Sequence, residues 1–209
     1  MKNLNKTLFV WLLLGMSLCI WVALAWIRSI GPTDVADLLK LLATVVGADC
    51  VLIGLFAKWG WRWRLLYPWL VPFPNLNGVW EGEIHSTYKD ADTRRSTAPV
   101  AATLTIHQTF IDISCVMQTA EMRSTSALAG FDLDAEKQQK QLVYLYCSRP
   151  KLTVADRSPM HDGAVVFDIV DDPPTKLLGR YWTSRGTVGE IELSRRKCLP
   201  WTGDHISKS

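Results

Sequence analysis

From Leu8 to Ile27 the chain runs LFVWLLLGMSLCIWVALAWI, twenty residues without a charge. At helical rise this length matches the roughly 30 Å hydrocarbon core of a bilayer, so the segment reads as a spanning helix. A second apolar run, Leu41 to Trp59, follows a short polar connection containing Gly31, Pro32, Asp34 and Asp37. Together the two runs predict a transmembrane hairpin. A cleaved signal peptide is the rival for the first run, because Lys2 and Lys6 supply a positive start and Ala23-Leu24-Ala25 resembles a small-residue cleavage site. Against it, the apolar run is longer than a usual signal core and continues through Trp26.

Basic residues near the helix ends set the expected orientation: Lys2 and Lys6 before the first helix and Lys58, Arg62 and Arg64 after the second, against Arg28 and Lys40 in the connection. Both ends of this multi-pass protein are therefore expected in the cytoplasm. Trp59, Trp61, Trp63, Tyr67 and Trp69 form the aromatic and basic collar expected at a membrane exit. Asp49 stands out, because a carboxylate near the centre of a spanning helix costs about 3 kcal/mol on insertion scales. One reading is a neutral Asp bonded to Ser17 or Thr44 of the same hairpin. The other makes Asp49 a membrane-assembly residue, facing another protomer or a path opened when protomers assemble.

Charge divides the chain. Residues 1–76 carry seven Lys/Arg against three Asp, whereas residues 77–209 carry sixteen Lys/Arg against seventeen Asp/Glu. The near-neutral second part argues against duplex nucleic acid as a partner, since a duplex binder presents a basic face to phosphates. A small enclosed anion remains compatible. The five cysteines are an odd number without CxxC spacing, which argues against a disulfide framework or a zinc site. Free thiols suit a reducing compartment.

Pro68, Pro72 and Pro74 stop helix continuation and predict a short extended linker. The expected organisation is an anchor over 1–67, a proline-rich linker over 68–76, a β-barrel domain over 77–197 and a tail over 198–209. Eight strands are read from alternation and turn residues: Gly78 to Ser86, Val100 to Gln108, Ile111 to Thr119, Ser124 to Leu133, Gln141 to Ser148, Gly163 to Val170, Lys176 to Thr183 and Thr187 to Arg195. Short links favour hairpins, and closure removes exposed edges. The expectation is an all-β, eight-stranded antiparallel up-and-down β-barrel. Trp80, Gly82 and Ile84 should point inward, with Trp80 closing one end, as should Leu177, Gly179, Tyr181, Thr183, Gly189, Ile191 and Leu193. In the fifth strand both parities are apolar, so either face can be the buried one.

No HExxH, GxSxG, Walker loop or GxGxxG occurs, and the four histidines are scattered. The expectation is no enzyme, no metal and no cofactor. A ligand pocket would draw on Trp80, Tyr146 and Tyr181 for base stacking, on Thr183, Thr187 and Ser148 as hydroxyls, and on Arg185 at a rim turn for phosphate. The same residue types also fill small barrels that bind nothing.

The hairpin layout, PNLNGVWEGEI at 74–84 and GRYWTSRGTVGEIELSRR at 179–196 resemble the two-transmembrane β-barrel effectors of bacterial CBASS, the cyclic-oligonucleotide-based anti-phage signalling system. The resemblance implies a receptor for a cyclic dinucleotide made by a partner synthase during infection. It further implies binding inside the barrel, homo-oligomerisation through the helices, and disruption of the inner membrane that kills the infected cell. The GxW-type start at Gly78 to Trp80 also permits a membrane-tethered, lipocalin-like barrel for a lipid or other lipophile, and a third reading is a scaffold with a filled barrel.

Overall fold

The computed structural model describes residues 6–31, 35–87, 98–134, 136–151 and 159–196. Lys2, Pro32, Asp34, Cys198, His205 and the tail over 198–209 lie outside them. Two compact units result, one comprising Met1–Asn75 with Gln108–Asp112, the other Leu76–His107 with Ile113–Ser209.

In the first unit, helix α1 spans Lys6–Ile27 and α2 spans Val35–Lys58. Both are long and apolar enough to cross a membrane. Helix α2 starts six residues before the expected Leu41, so Asp37 and Lys40 are helical rather than part of the connection. Asp37 sits in the first turn, where a carboxylate complements the helix dipole, and its Oδ1 lies 2.6 Å from Lys40 Nζ. Between the helices, the Ser17 hydroxyl donates to Asp49 Oδ2 at 2.7 Å, the partner the first reading of Asp49 named. The other carboxylate oxygen is buried with no hydrogen-bond partner among the described residues.

The linker is less extended than the prolines suggest. Two 3-10 turns, Gly60–Arg62 and Arg64–Leu66, and a further turn at residues 67–70 precede the irregular stretch that begins at Val71. Trp61, expected in the interfacial collar, is instead 2% exposed. It forms a core with Val71 and Phe110, against which Phe56, Ala57, Leu66 and Phe73 pack. The rings of Phe56 and Phe110 meet edge to face at 4.9 Å, a favoured quadrupole geometry. Trp59, Trp63 and Trp69 remain exposed, as a collar requires.

In the second unit, eight strands close into a barrel in sequence order: β1 Gly78–Ser86, β2 Val100–Gln108, β3 Ile113–Thr119, β4 Met122–Asp134, β5 Gln139–Pro150, β6 His161–Ile169, β7 Lys176–Thr183 and β8 Val188–Arg195. The seam between β1 and β8 is antiparallel, from Trp80 opposite Arg195 to Ser86 opposite Gly189. Alternation drives closure: Trp80, Leu104, Leu142, Phe167, Leu177, Ile191 and Leu193 fill the interior, and Glu81, Glu83, Glu190 and Glu192 face out. The fifth strand turns Leu142, Tyr144, Tyr146 and Ser148 inward and leaves Leu145 exposed. A register shift between Ser126 and Leu128 changes the half-buried parity of β4 from Ser124 and Ser126 to Ala129, Phe131 and Leu133. At that bulge the Cys115 backbone N–H donates to the Ser126 hydroxyl at 2.9 Å.

Candidate ligand site at the barrel mouth

The up-and-down order gives the barrel two unlike ends. At one, β1 begins and β8 finishes, and the end is stoppered. Trp80 is fully buried, its indole N–H donates to the Leu76 carbonyl at 2.9 Å, and the Arg195 guanidinium lies 5.0 Å from the ring centroid. Arg195 also donates to the Asn77 carbonyl at 2.9 Å. Trp80 thus closes one end, as its parity predicts. This placement separates it from the other candidate ligand residues.

Those residues gather at the opposite end, where β5 and β7 finish and β6 and β8 begin. Tyr146 stands opposite Gly163, Gly163 opposite Thr183, and Tyr181 opposite Gly189. The pairing with glycine is steric. A Cβ on Gly163 would come within 2.5 Å of the Tyr146 ring, and one on Gly189 would collide with the Tyr181 ring. Each tyrosine therefore lies over a neighbouring glycine, which holds its orientation without a bulky cross-strand partner.

Burial pushes the Tyr146 phenol up to about 12; the Tyr181 phenol adds to the shift and the Arg185 guanidinium opposes it. The three groups are thus within electrostatic reach of one another. Arg185 is exposed on the β7–β8 turn, whose tightness rests on Gly186 at φ +77. Thr183 closes the same turn: its hydroxyl accepts the Thr187 N–H at 3.2 Å and donates to the Thr187 carbonyl at 3.4 Å. Thr187 is half-buried beside it.

Two residues join the mouth that the sequence analysis did not single out. His161 is buried at the start of β6, its Nδ1 3.1 Å from the Pro159 carbonyl. Burial holds its pKa below the ordinary value; the Pro159 bond and Asp162 oppose that shift, and Arg185 reinforces it. With Nδ1 carrying the proton toward Pro159, Nε2 is left to accept. The signal was parity: His161 continues the inward series of Gly163, Val165, Phe167 and Ile169. Tyr144 lies one inward position deeper than Tyr146, 6.1 Å from it between ring centroids. Its hydroxyl is buried without a hydrogen-bond partner among the described residues. Among those residues no group of three His, Cys, Asp or Glu side chains has the arrangement of a metal site.

A closed small barrel, capped by Trp80 at one end and carrying aromatic rings, hydroxyls and a guanidinium at the other, has the side-chain types that a receptor for a small polar ligand requires. A family model of the Cap15 cyclic dinucleotide receptor domain matches residues 71–195, and the chain belongs to that family. It is also similar to CD-NTase-associated protein 15 of Staphylococcus schleiferi, with 23% identity over 190 residues covering 91% of each chain. The CBASS effector resemblance seen in the sequence is thereby shown. The family is a receptor family rather than a catalytic one.

Proposed function

We propose that this protein is the membrane effector of an anti-phage system, switched on by a cyclic dinucleotide bound at the end of its barrel opposite Trp80. The observation that carries this reading is the convergence of Tyr146, Tyr181 and Arg185 at one end of a domain belonging to a cyclic dinucleotide receptor family. Tyr146 and Tyr181 stack on the bases, while Arg185 holds phosphate and His161 accepts at Nε2 from a base or sugar donor. Thr183, Thr187 and Ser148 bond polar edges. Trp80, at the stoppered end, supports the barrel rather than touching the ligand.

The rest of the mechanism follows the resemblance. A partner synthase makes the ligand during infection. Residues 77–197 sense it in the cytoplasm, and the 1–67 hairpin, anchored in the inner membrane with its N-terminus on the same side, assembles into homo-oligomers that breach the bilayer. The 68–76 linker connects the two, and no part is assigned to the 198–209 tail. For binding to drive assembly, the ligand must favour the assembled state, because equal affinity for both states shifts nothing.

Titrating the full-length protein in detergent with cyclic dinucleotides tests the site. Base stacking on an aromatic ring contributes about 1–3 kcal/mol, so Tyr181→Ala should weaken binding by roughly 5- to 150-fold. Arg185→Ala should cost a similar factor through lost phosphate contact. Wild-type affinity in both variants would remove the assignment.

A further inference from the structure

The anchor unit contains an apolar groove of about 510 Å³, lined from α1 by residues such as Leu12 and Met16 and from α2 and the turn after it by Leu52, Phe56, Trp59 and Trp63. On α1 the lining runs from Phe9 to Met16, and on the other side from Leu52 of α2 to Trp59 just past its end. At 1.5 Å per residue each stretch covers about 10 Å of helix axis, which falls within the roughly 15 Å depth of one leaflet. Both stretches lie at the end of the hairpin from which the chain continues to the linker. There, Lys58, Arg62 and Arg64 are all exposed. Lys58 Nζ stands 4.6 Å from the Trp59 ring centroid and the Arg62 guanidinium 5.5 Å from that of Trp61. None of the three forms an ion pair among the described residues.

We infer that this groove is a stoichiometric site for one anionic glycerophospholipid, with an acyl chain in the groove and the phosphate headgroup held by Lys58, Arg62 and Arg64. The inference goes beyond the effector reading and rests on its placement of the helices in a membrane. Two features select a lipid over a second copy of the chain. A neighbouring helix would need a complementary face along the whole span, whereas this groove ends within one leaflet. A second copy docked in this groove by two-fold symmetry would also bring its own three cations close beside these, and like charges oppose contact through the groove, though not assembly through another face of the helices. An anionic headgroup instead neutralises them, and basic residues at a membrane surface attract anionic lipid.

The test is native mass spectrometry of the full-length protein released from nanodiscs of phosphatidylcholine containing a minor fraction of phosphatidylglycerol. One phosphatidylglycerol should be retained per protomer, enriched about tenfold or more over its share of the bilayer. The K58Q/R62Q/R64Q protein should lose that enrichment. Met16→Trp, which fills the groove and keeps every cation, should reduce retention of both lipids. Equal retention of the two headgroups by the wild type would overturn the site, as would enrichment unchanged in both variants. A protomer-to-protomer disulfide through Leu12→Cys in nanodiscs without nucleotide would likewise overturn it, by showing a second copy in the groove. Failure of the wild type to enter nanodiscs at all would be a different result, defeating the membrane anchor itself.

Discussion

Tyr146 and Tyr144 are buried side by side on β5, and burial raises both phenols. Burial holds the Tyr146 phenol near 12, against about 10 for an unfolded tyrosine, so the folded barrel keeps a proton that the unfolded chain gives up. A group raised in this way favours the native state below about pH 10 and loses that contribution as pH rises toward 12. Spectrophotometric titration should therefore show Tyr146→Phe deleting a late phenolate transition, and not one near 10. Tyr144 is raised further by burial, and its hydroxyl has no hydrogen-bond partner among the described residues. Tyr144→Phe should leave the ligand-free barrel as stable as before, or more stable by up to about 1 kcal/mol in urea unfolding, because it removes an unsatisfied buried group. If the variant loses more than that, the hydroxyl is already satisfied. At this scale the sequence was only partly legible. Tyr181 and Trp80 sit on strands whose opposite face is charged, so their direction was plain. Tyr146 sits on a strand apolar on both faces, and only packing decides that Leu145 is the exposed side. His161 was hidden by a strand start two residues earlier than the turn chemistry suggests.

The elements follow local rules where a single signal dominates. Strands β1, β2 and β7 have the expected bounds because strict alternation ends in turn residues at both sides. Strand β4 departs from a single parity because of the bulge at Ser126 and Leu128, which one sequence does not announce. Helix α2 gained six residues because Asp37 and Lys40, read as punctuation, suit its polar first turns. The β1–β8 seam is the element-scale weak point. A Cβ on Gly82 would collide with the Glu192 carbonyl and lie 2.9 Å from its carbon, and neither backbone can move without opening the barrel. Gly82→Ala should destabilise the barrel by about 3 kcal/mol or more, followed by urea denaturation. Gly130→Ala on β4, where no atom lies within 4 Å of the added carbon, should be close to neutral and serves as the comparison. Equal effects of the two would mean that the seam is not tightly closed.

Across the whole molecule, the proposed ligand site and the proposed assembly element belong to different parts of one chain, and Asp49 tests whether they are joined. Its Oδ2 is bonded to Ser17 and its Oδ1 has no hydrogen-bond partner among the described residues. If that oxygen finds its partner on a neighbouring protomer, Asp49→Ala should bind cyclic dinucleotide with wild-type affinity but fail to grow in mass on ligand addition, measured by light scattering in detergent. Normal growth would leave Asp49 with its bond to Ser17 alone. The tip of the β2–β3 hairpin adds a constraint of another kind. Residues Gln108–Asp112 belong to the helical unit, and Phe110 completes an aromatic core whose other members come from elsewhere in the chain. Neither half can therefore be cut out cleanly. A fragment beginning at Leu76 would carry a bare phenylalanine that invites clumping, and a fragment ending at Asn75 would have a gap where that ring belongs. Anyone dividing this protein for study does better to replace Phe110 with a polar residue in the first fragment than to trust the cut alone.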